Sequence, residues 1–286
     1  MALIAQAADL HTHTTASDGT GAPADNVRKA KEAGLAAVAI TDHDTVAGVA
    51  EALAEGERLG IEVVPGVEIS AYHGGTDIHI LGYYTRPDDE RWLARLASQR
   101  DTRDRRNDMI VERLTSLGLP LSMDEVREAA GRDGRGEETI GRPHIAQVLL
   151  AKGYVSSMQE AFDRYLASGA AAYVNPPRLH PFEALSWIRE AGGTSVIAHP
   201  GLYGDDEFVE ELLRRGADGI EVFHSDHGEE ERRRYARLAE RYGVIVTGGS
   251  DYHGMRNGVA FHGALGSVTV DASVIGRLKA GGGARR

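Results

Sequence analysis

The sequence predicts an α/β fold in which one barrel of alternating strands and helices is interrupted by a helical insertion. Three observations predict it. Strand and helix signals alternate before residue 88, the alternation returns after Pro181, and the stretch between shows only helical patterns. A chain of 286 residues can bury a core of this size. We therefore expect residues 1–87 and 181–286 to form the barrel, and residues 88–180 to form a helical subdomain that caps the substrate.

The elements follow in chain order. Short apolar runs at 36–40 and 61–64 are bounded by glycine or polar residues, as buried parallel strands are. Helices are predicted at 23–33, where Pro23 suits the first turn, and at 45–59. The insertion predicts helices at 88–117, 122–130, 142–152 and 156–167, with a mobile loop at 133–137.

The second part of the barrel repeats the alternation. It predicts helices at 182–191, 205–215 and 229–242, and strands at 194–198, 219–223 and 244–247. An apolar run at 265–270 precedes a last short helix, and the glycine-rich tail 281–286 is expected to be disordered.

Composition bears on location and partners. The chain has no cysteine, which gives no reason to expect an oxidising compartment. The first six residues lack a basic region and are too short for a signal peptide or a membrane span. We expect a cytoplasmic protein without membrane contact and, since no apolar interface stripe stands out, a monomer. A net charge of -11 disfavours duplex nucleic acid, although bound cations would still admit a small phosphorylated substrate.

Seven predicted strands end in histidine or acidic residues. Imidazole and carboxylate without thiolate are ligands of Zn, Mn or Fe centres, and strand ends of a parallel barrel converge at one edge. A set this large predicts more than one metal ion. The strand-end residues are Asp9, His11, His13, Asp42, His43, Asp44, Glu68, His79, His199, Glu221, His224, Asp251 and His253.

Spacing adds detail to this site. His11 and His13 are two residues apart, so an extended backbone projects both side chains to one face. The two oxygens of Glu68 can bridge two cations. His43 lies between two acids, and we expect one of them to orient its ring. We interpret four further histidines as surface or loop residues, and leave His144 open between a structural and a functional role: His73, His180, His227 and His262.

The motifs together resemble the PHP (polymerase and histidinol phosphatase) family of metal-dependent phosphoesterases, over essentially the whole chain. The matching strings are His11-Thr12-His13 with Ser17-Asp18-Gly19, Thr41-Asp42-His43-Asp44, Pro65-Gly66-Val67-Glu68, His79-Ile80-Leu81-Gly82, Ala198-His199-Pro200 and Ser250-Asp251-Tyr252-His253.

This resemblance implies a distorted, TIM-like (β/α)7 barrel with two or three divalent ions, manganese first and zinc or iron as alternatives. It implies one ion on His11, His13, Glu68 and Asp251, a second on Asp18, His43 and His253, and a third on Glu68, His79 and His199. Many family members have histidine where Asp18 stands, so the second site is expected to be weaker or to select a different metal.

The insertion and the string Gly141-Arg142-Pro143-His144 resemble one subgroup of the family. That subgroup contains 3′,5′-nucleoside bisphosphate phosphatases and 5′→3′ exoribonucleases that act on short RNA. The resemblance implies a nucleotide or short oligonucleotide as substrate. A cyclic phosphate diesterase and a histidinol phosphatase are the alternatives within the family.

Two cations would lower the pKa of a water held between them, and the resulting hydroxide would attack phosphorus without a covalent enzyme intermediate. We expect catalytic roles for Glu68, Asp251 and His224. His224 would contact the substrate and is one candidate to protonate the leaving oxygen; a metal-bound water is the other.

The predicted helix 88–117 has apolar ends and a polar centre, and residues 91–113 carry a net charge of +3. Arg100, Arg103 and Arg142 are candidates to bind a second phosphate, with His144 as a further contact. The alternative is that these arginines pair with acids one helical turn away.

Two other protein classes compete with this interpretation. A binuclear amidohydrolase also uses a His-x-His motif, but no lysine stands at a central strand end to bridge its ions. An inactive, metal-stabilised scaffold would keep the ligands for stability alone.

Overall fold

The structure is a computed structural model that describes residues 6–131, 137–256, 259, 260 and 262–281. Most of the predicted mobile loop and disordered tail, and the first five residues, lie outside this range. The strands are β1 (Ala7–Asp9), β2 (Ala37–Ile40), β3 (Glu62–His73), β4 (Thr76–Tyr83), β5 (Thr194–Ile197), β6 (Gly219–His224), β7 (Ile245–Gly249), β8 (Met255–Arg256), β9 (Val259–Ala260) and β10 (Val270–Asp271).

Ten α-helices lie within the described residues. They are α1 (Pro23–Glu32), α2 (Val49–Leu59), α3 (Glu90–Ser116), α4 (Met123–Ala129), α5 (Arg142–Ala151), α6 (Met158–Ala161), α7 (Pro181–Glu190), α8 (Asp206–Arg214), α9 (Glu229–Tyr242) and α10 (Val274–Gly281). A π-helical turn at Phe162–Leu166 follows α6, where the sequence predicted one continuous α-helix.

Eight strands form one sheet in the order β10-β1-β2-β3-β4-β5-β6-β7. Backbone bonds join its two sides, from Leu10 N to Gly248 O at 3.2 Å and from Asp251 N to His11 O at 2.9 Å. Helices surround this nearly closed barrel. The predicted fold class, a distorted TIM-like α/β barrel, is confirmed.

The β3–β4 hairpin corrects two predicted strand ends. Glu68 and His79 lie inside strands, because β3 continues to His73 and turns through two glycines with positive φ into the antiparallel β4. Since β4 runs against β3 and β5, a residue near its start lies at the same barrel edge as the ends of the parallel strands. His79 therefore reaches the site from a strand of opposite direction.

An irregularity in β6 also shapes the site. The register against β7 shifts between Glu221 and Phe223, which is the signature of a β-bulge. The bulge changes the alternation of side chains, so that Phe223 faces outward while Glu221 and His224 are both fully buried. One strand thus supplies two polar groups to the barrel interior.

The long helix α3 connects two hydrophobic cores. Near its start Trp92 and Leu96 pack into the barrel core, whereas Ile110 and Leu114 pack into a separate core formed by residues 110–172. The predicted apolar ends and polar centre of this helix thus match its position between the two cores. No helix in the described ranges is long and apolar enough to cross a membrane.

Candidate metal centre and active site

Nine side chains meet at the barrel edge, and we call them the ligand cluster. All are polar and, except for the half-buried His79, all are buried. They come from six segments of the chain that are distant in sequence. The ligand cluster consists of His11, His13, Asp18, His43, Glu68, His79, His199, Asp251 and His253, the nine metal ligands that the resemblance implied.

The first implied ion site is compact. The Nε2 atoms of His11 and His13 are 3.2 Å apart. His11 Nε2 lies 3.5 Å from Glu68 Oε1, and His13 Nε2 lies 3.2 Å from Glu68 Oε2. Asp251 Oδ1 is 3.3 Å from His11 Nε2 and 3.1 Å from His13 Nε2. Five atoms of four residues therefore surround one small volume.

The second implied site is looser. Asp18 Oδ1 lies 3.3 Å from His253 Nε2, and Asp18 Oδ2 lies 3.8 Å from His43 Nε2. His13 Nδ1 is 3.9 Å from Asp18 Oδ1, so His13 stands between the first and second sites. These four residues form one group that could hold a metal ion.

Glu68 also joins the third implied site. Its Oε1 lies 2.9 Å from His79 Nδ1 and 3.0 Å from His199 Nε2, and the two histidine nitrogens are 3.3 Å apart. Its Oε2 lies 3.0 Å from His43 Nδ1. Both carboxylate oxygens therefore face imidazoles of more than one site, as a bridging ligand requires.

Glu221, which the sequence predicted at a strand end without assigning it a role, contacts two members of the ligand cluster on the side away from the implied ions. Glu221 lies 3.1 Å from His11 Nδ1 and accepts a 2.7 Å hydrogen bond from the backbone N–H of His199. A carboxylate on one ring nitrogen directs the other nitrogen toward a metal. Glu221 thus orients two ligands, and the β6 bulge is what brings it inward.

The acids beside His43 do not act as the sequence predicted. Asp42 accepts hydrogen bonds from Thr14 and Ser17, whereas Asp44 accepts them from Ser70 and Arg103. Neither carboxylate contacts the His43 ring. The prediction that one of them orients this ring is wrong, because Asp42 is turned toward the loop at 14–17 and Asp44 toward β3 and α3.

The charges in the cluster depend on one another. Burial lowers the pKa of His11, but the attraction of Asp251, Glu221 and Glu68 outweighs it and raises this pKa well above its ordinary value. Attraction to Asp251 and Glu68 likewise outweighs burial and raises the pKa of His13 to about 10. Burial alone dominates for His199, whose pKa falls to about 4. The carboxylates of the first site therefore bind positive charge strongly.

Divalent cations fit this donor set. Buried Asp251 Oδ1, His43 Nδ1 and His199 Nδ1 make no hydrogen bond among the described residues, although ligand-type atoms lie close to the first two. Orphaned buried acceptors are costly unless something else binds them. His199 and Asp251 also have positive φ angles of 25° and 53°, a conformation that non-glycine residues keep mainly where function requires it.

Seven members of the ligand cluster line a cavity that four arginines also line. We call these arginines the arginine cluster: Arg103, Arg106, Arg142 and Arg178. The cavity has a volume of about 250 Å³. Asp77 binds both Arg142, at 2.5 Å, and Arg178. Arg103 pairs with Asp44 at 2.7 Å. Three of the four guanidinium groups therefore share two carboxylates.

Arg106 has no ion-pair partner among the described residues. It is only 6% exposed, its Nη2 donates to Asn107 Oδ1 at 3.3 Å, and its Nε makes no hydrogen bond. Burial, followed by the nearby cations Arg103 and Arg142, lowers the pKa of Arg106 well below its usual value. An unpaired buried cation in a cavity marks a place for an anion. The sequence did not predict Arg106 and Arg178 as site residues. They meet only because α3 packs against the segment before α7 that contains Arg178.

The remaining predicted contacts lie outside the cavity lining of the described residues. Arg100 donates to the backbone oxygen of Asp44, and His144 Nδ1 accepts from the Gly141 N–H. His224 lies behind Asp251: its Nε2 is 3.3 Å from Asp251 Oδ2, and its Nδ1 accepts from the Asp226 N–H. Their roles toward substrate stay predictions, which this geometry does not favour.

Two histidines that the sequence indicated as surface or loop residues, His227 and His262, lie close to the site. His227 lies in a loop, but it is buried and bonded to Val222 O and Gly201 N. His262 lines the cavity, 2.6 Å from Asp226 and 3.5 Å from Asp251. His262 was missed because no strand signal precedes it in the sequence.

Comparison with known proteins agrees with this geometry. A family model described as PHP domain matches residues 9–168. The 5′-3′ exoribonuclease of Haemophilus influenzae is 36% identical over 250 residues, covering 86% of this chain and 89% of that one. The 3′,5′-nucleoside bisphosphate phosphatase of Chromobacterium violaceum is 35% identical over 250 residues, or 86% of each chain.

Two further similarities broaden the comparison. The phosphoribosyl 1,2-cyclic phosphate 1,2-diphosphodiesterase of Eggerthella lenta is 33% identical over 249 residues, 86% of this chain and 94% of that one. A crystal structure from Bifidobacterium adolescentis, named as a candidate metal-dependent phosphoesterase, superposes with a TM-score of 0.86 at 35% identity, covering 95% of this chain and 94% of the other.

The chain belongs to the PHP family. The resemblance read from its motifs is confirmed, and so is the expected class of enzyme, a metal-dependent hydrolase of phosphate esters.

Proposed function

We propose that this chain hydrolyses a nucleotide-type phosphate ester and that its preferred reaction removes the 3′-phosphate of a nucleoside 3′,5′-bisphosphate. One observation carries the proposal: a single cavity is lined both by seven of the nine members of the ligand cluster and by the arginine cluster. A substrate with two phosphates can place one at each side.

The ligand cluster would hold two or three divalent ions, with Glu68 shared between sites. Its mixture of imidazoles with carboxylate oxygens suits Mn²⁺, with Zn²⁺ or Fe as alternatives. Ions bound there would lower the pKa of a water and neutralise phosphate oxygens. Glu68 and Asp251 fix the spacing of the ligands, and Glu221 fixes the ring of His11.

Three members of the arginine cluster, Arg106, Arg142 and Arg178, would hold the phosphate that is not hydrolysed. Asp77 fixes Arg142 and Arg178 in place, while Arg106 supplies an uncompensated charge. A guanidinium fork matches phosphate oxygens in geometry as well as in charge. Apolar lining from Pro143, Phe162 and Leu202 is available for the nucleoside. In this arrangement the helices between 90 and 166 act as a cap that selects the substrate.

Relatives support the reaction class and leave three substrates to compare. Proteins of similar identity are named bisphosphate phosphatase, exoribonuclease and cyclic phosphodiesterase. A 5′-phosphorylated RNA could present its terminal phosphate to the arginine cluster in the same way. The cyclic phosphate diesterase is the second candidate, because a relative with that name covers 86% of this chain.

The test is phosphate release by metal-stripped protein reconstituted with Mn²⁺. The substrates would be adenosine 3′,5′-bisphosphate, AMP, histidinol phosphate, a cyclic ribose phosphate and a short 5′-phosphorylated RNA. We expect the bisphosphate to yield AMP and one phosphate faster than any other substrate reacts. Preferred turnover of the RNA or the cyclic ester, with the bisphosphate intact, would overturn the substrate assignment while keeping the reaction class.

A further inference from the structure

The segment His43–Asp44 is held from outside the barrel. The backbone oxygen of His43 accepts a 3.1 Å hydrogen bond from Thr139 Oγ1, and the backbone oxygen of Asp44 accepts a 3.3 Å bond from Arg100 Nη1. Both donors belong to the region between residues 90 and 166. Two consecutive carbonyls beside a ligand of the cluster are thus fixed by the cap.

The Asp44 carboxylate strengthens this attachment. It accepts bonds from Arg103 Nη2 at 2.7 Å, from Arg103 Nε at 3.2 Å and from the Ser70 N–H at 2.8 Å. Arg103 Nη2 also donates to Ser70 Oγ at 2.5 Å. Both Arg103 donors share Asp44 Oδ2, and since Asp44 and Arg103 are buried, this ion pair is shielded from water.

The backbone of Asp44 is in an unusual conformation. Its φ of 55° lies in the left-handed region, which residues other than glycine adopt at a cost. In that conformation the Asp44 N–H donates to Glu68 O at 2.9 Å, while the Glu68 N–H donates to Asp42 O at 3.1 Å. The conformation that the ion pair stabilises is therefore the one that sets His43 against Glu68.

We infer that Asp44 and Arg103 are positioning residues, and that the cap helix α3 completes the metal centre through them in addition to covering the substrate. This inference rests on the proposed metal centre. It gives Arg103 a different role from the phosphate contact predicted from sequence, because its Nε and Nη2 atoms are engaged by Asp44 and Ser70. Metal affinity at the sites that share His43 then depends on a cap residue with no contact to a metal.

The experiment measures Mn²⁺ binding to metal-free, full-length protein by titration calorimetry, without any substrate. The variants are Asp44→Asn and Arg103→Gln, with Arg105→Gln as control, since Arg105 is exposed on the same helix. Asparagine tolerates positive φ and its one oxygen can still accept from Ser70, so Asp44→Asn removes the charge and the acceptor for Arg103 while it keeps the backbone contact. Circular dichroism checks that each variant is folded, and Arg103→Lys replaces Arg103→Gln should the latter unfold.

We expect both variants to weaken at least one Mn²⁺ site by about 10- to 100-fold, as loss of groups behind metal ligands does, and the control to match the wild type. The double variant should be no weaker than the worse single variant, because the two residues act as one pair. Unchanged Mn²⁺ binding in Asp44→Asn, with Arg103→Gln raising only the KM, would overturn the inference. A wild type that binds Mn²⁺ tightly but hydrolyses no nucleotide would defeat the proposed function and leave this inference standing.

Discussion

The ligand cluster and the arginine cluster line two parts of one cavity, and they differ in which charge lacks a partner. In the ligand cluster, carboxylates face imidazoles, and buried acceptors such as Asp251 Oδ1 make no hydrogen bond among the described residues. In the arginine cluster, three guanidinium groups share Asp44 and Asp77, and Arg106 has no carboxylate partner in the described part of the chain. One side is suited to cations and the other to an anion. A metal-bound substrate with a second phosphate would satisfy both.

The largest effect is expected on the cation side, from Glu68→Gln. Glutamine keeps the shape of the side chain but has one acceptor oxygen in place of two. The Glu68 carboxylate lies next to ligands of every implied ion site. Since removal of a group behind the ligands costs 10- to 100-fold in metal affinity or activity, loss of a shared ligand should lower kcat/KM by more than about 100-fold. The measurement is kcat/KM with saturating Mn²⁺, beside the exposed control Glu57→Gln. Unchanged turnover with a lowered Tm would instead give Glu68 a role in stability alone.

A smaller loss of metal affinity is expected when Glu221, which contacts two ligands but is not itself an implied ligand, is changed. Glu221→Gln leaves His11 Nδ1 and the His199 N–H with only one carbonyl acceptor between them. We expect a loss of about 10- to 100-fold in Mn²⁺ affinity, recovered in part at high Mn²⁺ concentration. Activity that is reduced equally at all Mn²⁺ concentrations would argue that Glu221 does not act through the metal.

On the anion side, Asp77→Asn should have a milder effect. When residue 77 carries no charge, Arg142 and Arg178 lose the ion-pair partner that holds their orientation. We expect KM for a nucleoside bisphosphate to rise by about tenfold, which corresponds to about 1.4 kcal/mol, with kcat nearly unchanged. A lower KM would show that Asp77 competes with the substrate for these arginines.

The last expected effect is on stability and not on activity: a pH dependence in chelator-treated protein. The pKa of His13 is raised from 6.5 to about 10, so its contribution to folding is complete below pH 6.5 and is lost as pH rises through 10. Mn²⁺ would replace that proton as the partner of Glu68 and Asp251. The Tm should therefore fall between pH 7 and 9.5 with chelator, and fall less with Mn²⁺. The same fall under both conditions would contradict this account.

The two sides also differ in how much of each could be predicted from the sequence. Eight members of the ligand cluster could be named from their positions at predicted strand ends, where residues such as His11 and His13 share a face of an extended segment. Asp18, and the grouping of the ligands into ion sites, came from the family resemblance. The barrel fold followed from the alternation of strands and helices. The direction of β4 could not be predicted, because its apolar alternation is the same in either direction.

The arginine cluster was harder to predict for a physical reason. Helix α3 carries many arginines, and their partners lie in other elements: Asp44 follows β2, and Asp77 lies at the start of β4. Whether an arginine is paired or available depends on how the helix packs on the barrel, which the helical repeat does not encode. For this reason Arg100 was named and Arg106 was not. Glu221 was left without a role because its inward position depends on the β6 bulge.

The central claim is that one cavity binds two phosphates of one substrate, one on each side. The most direct test compares kcat/KM for adenosine 3′,5′-bisphosphate and adenosine 3′-monophosphate in the wild type, in Arg106→Gln and in the exposed control Arg105→Gln. We predict that the wild type and the control prefer the bisphosphate by about 100-fold, since loss of one partner of a buried charge pair costs 2–5 kcal/mol. Arg106→Gln should lose most of this preference and keep its activity on the monophosphate. Equal losses on both substrates, or a wild type without preference, would contradict the claim.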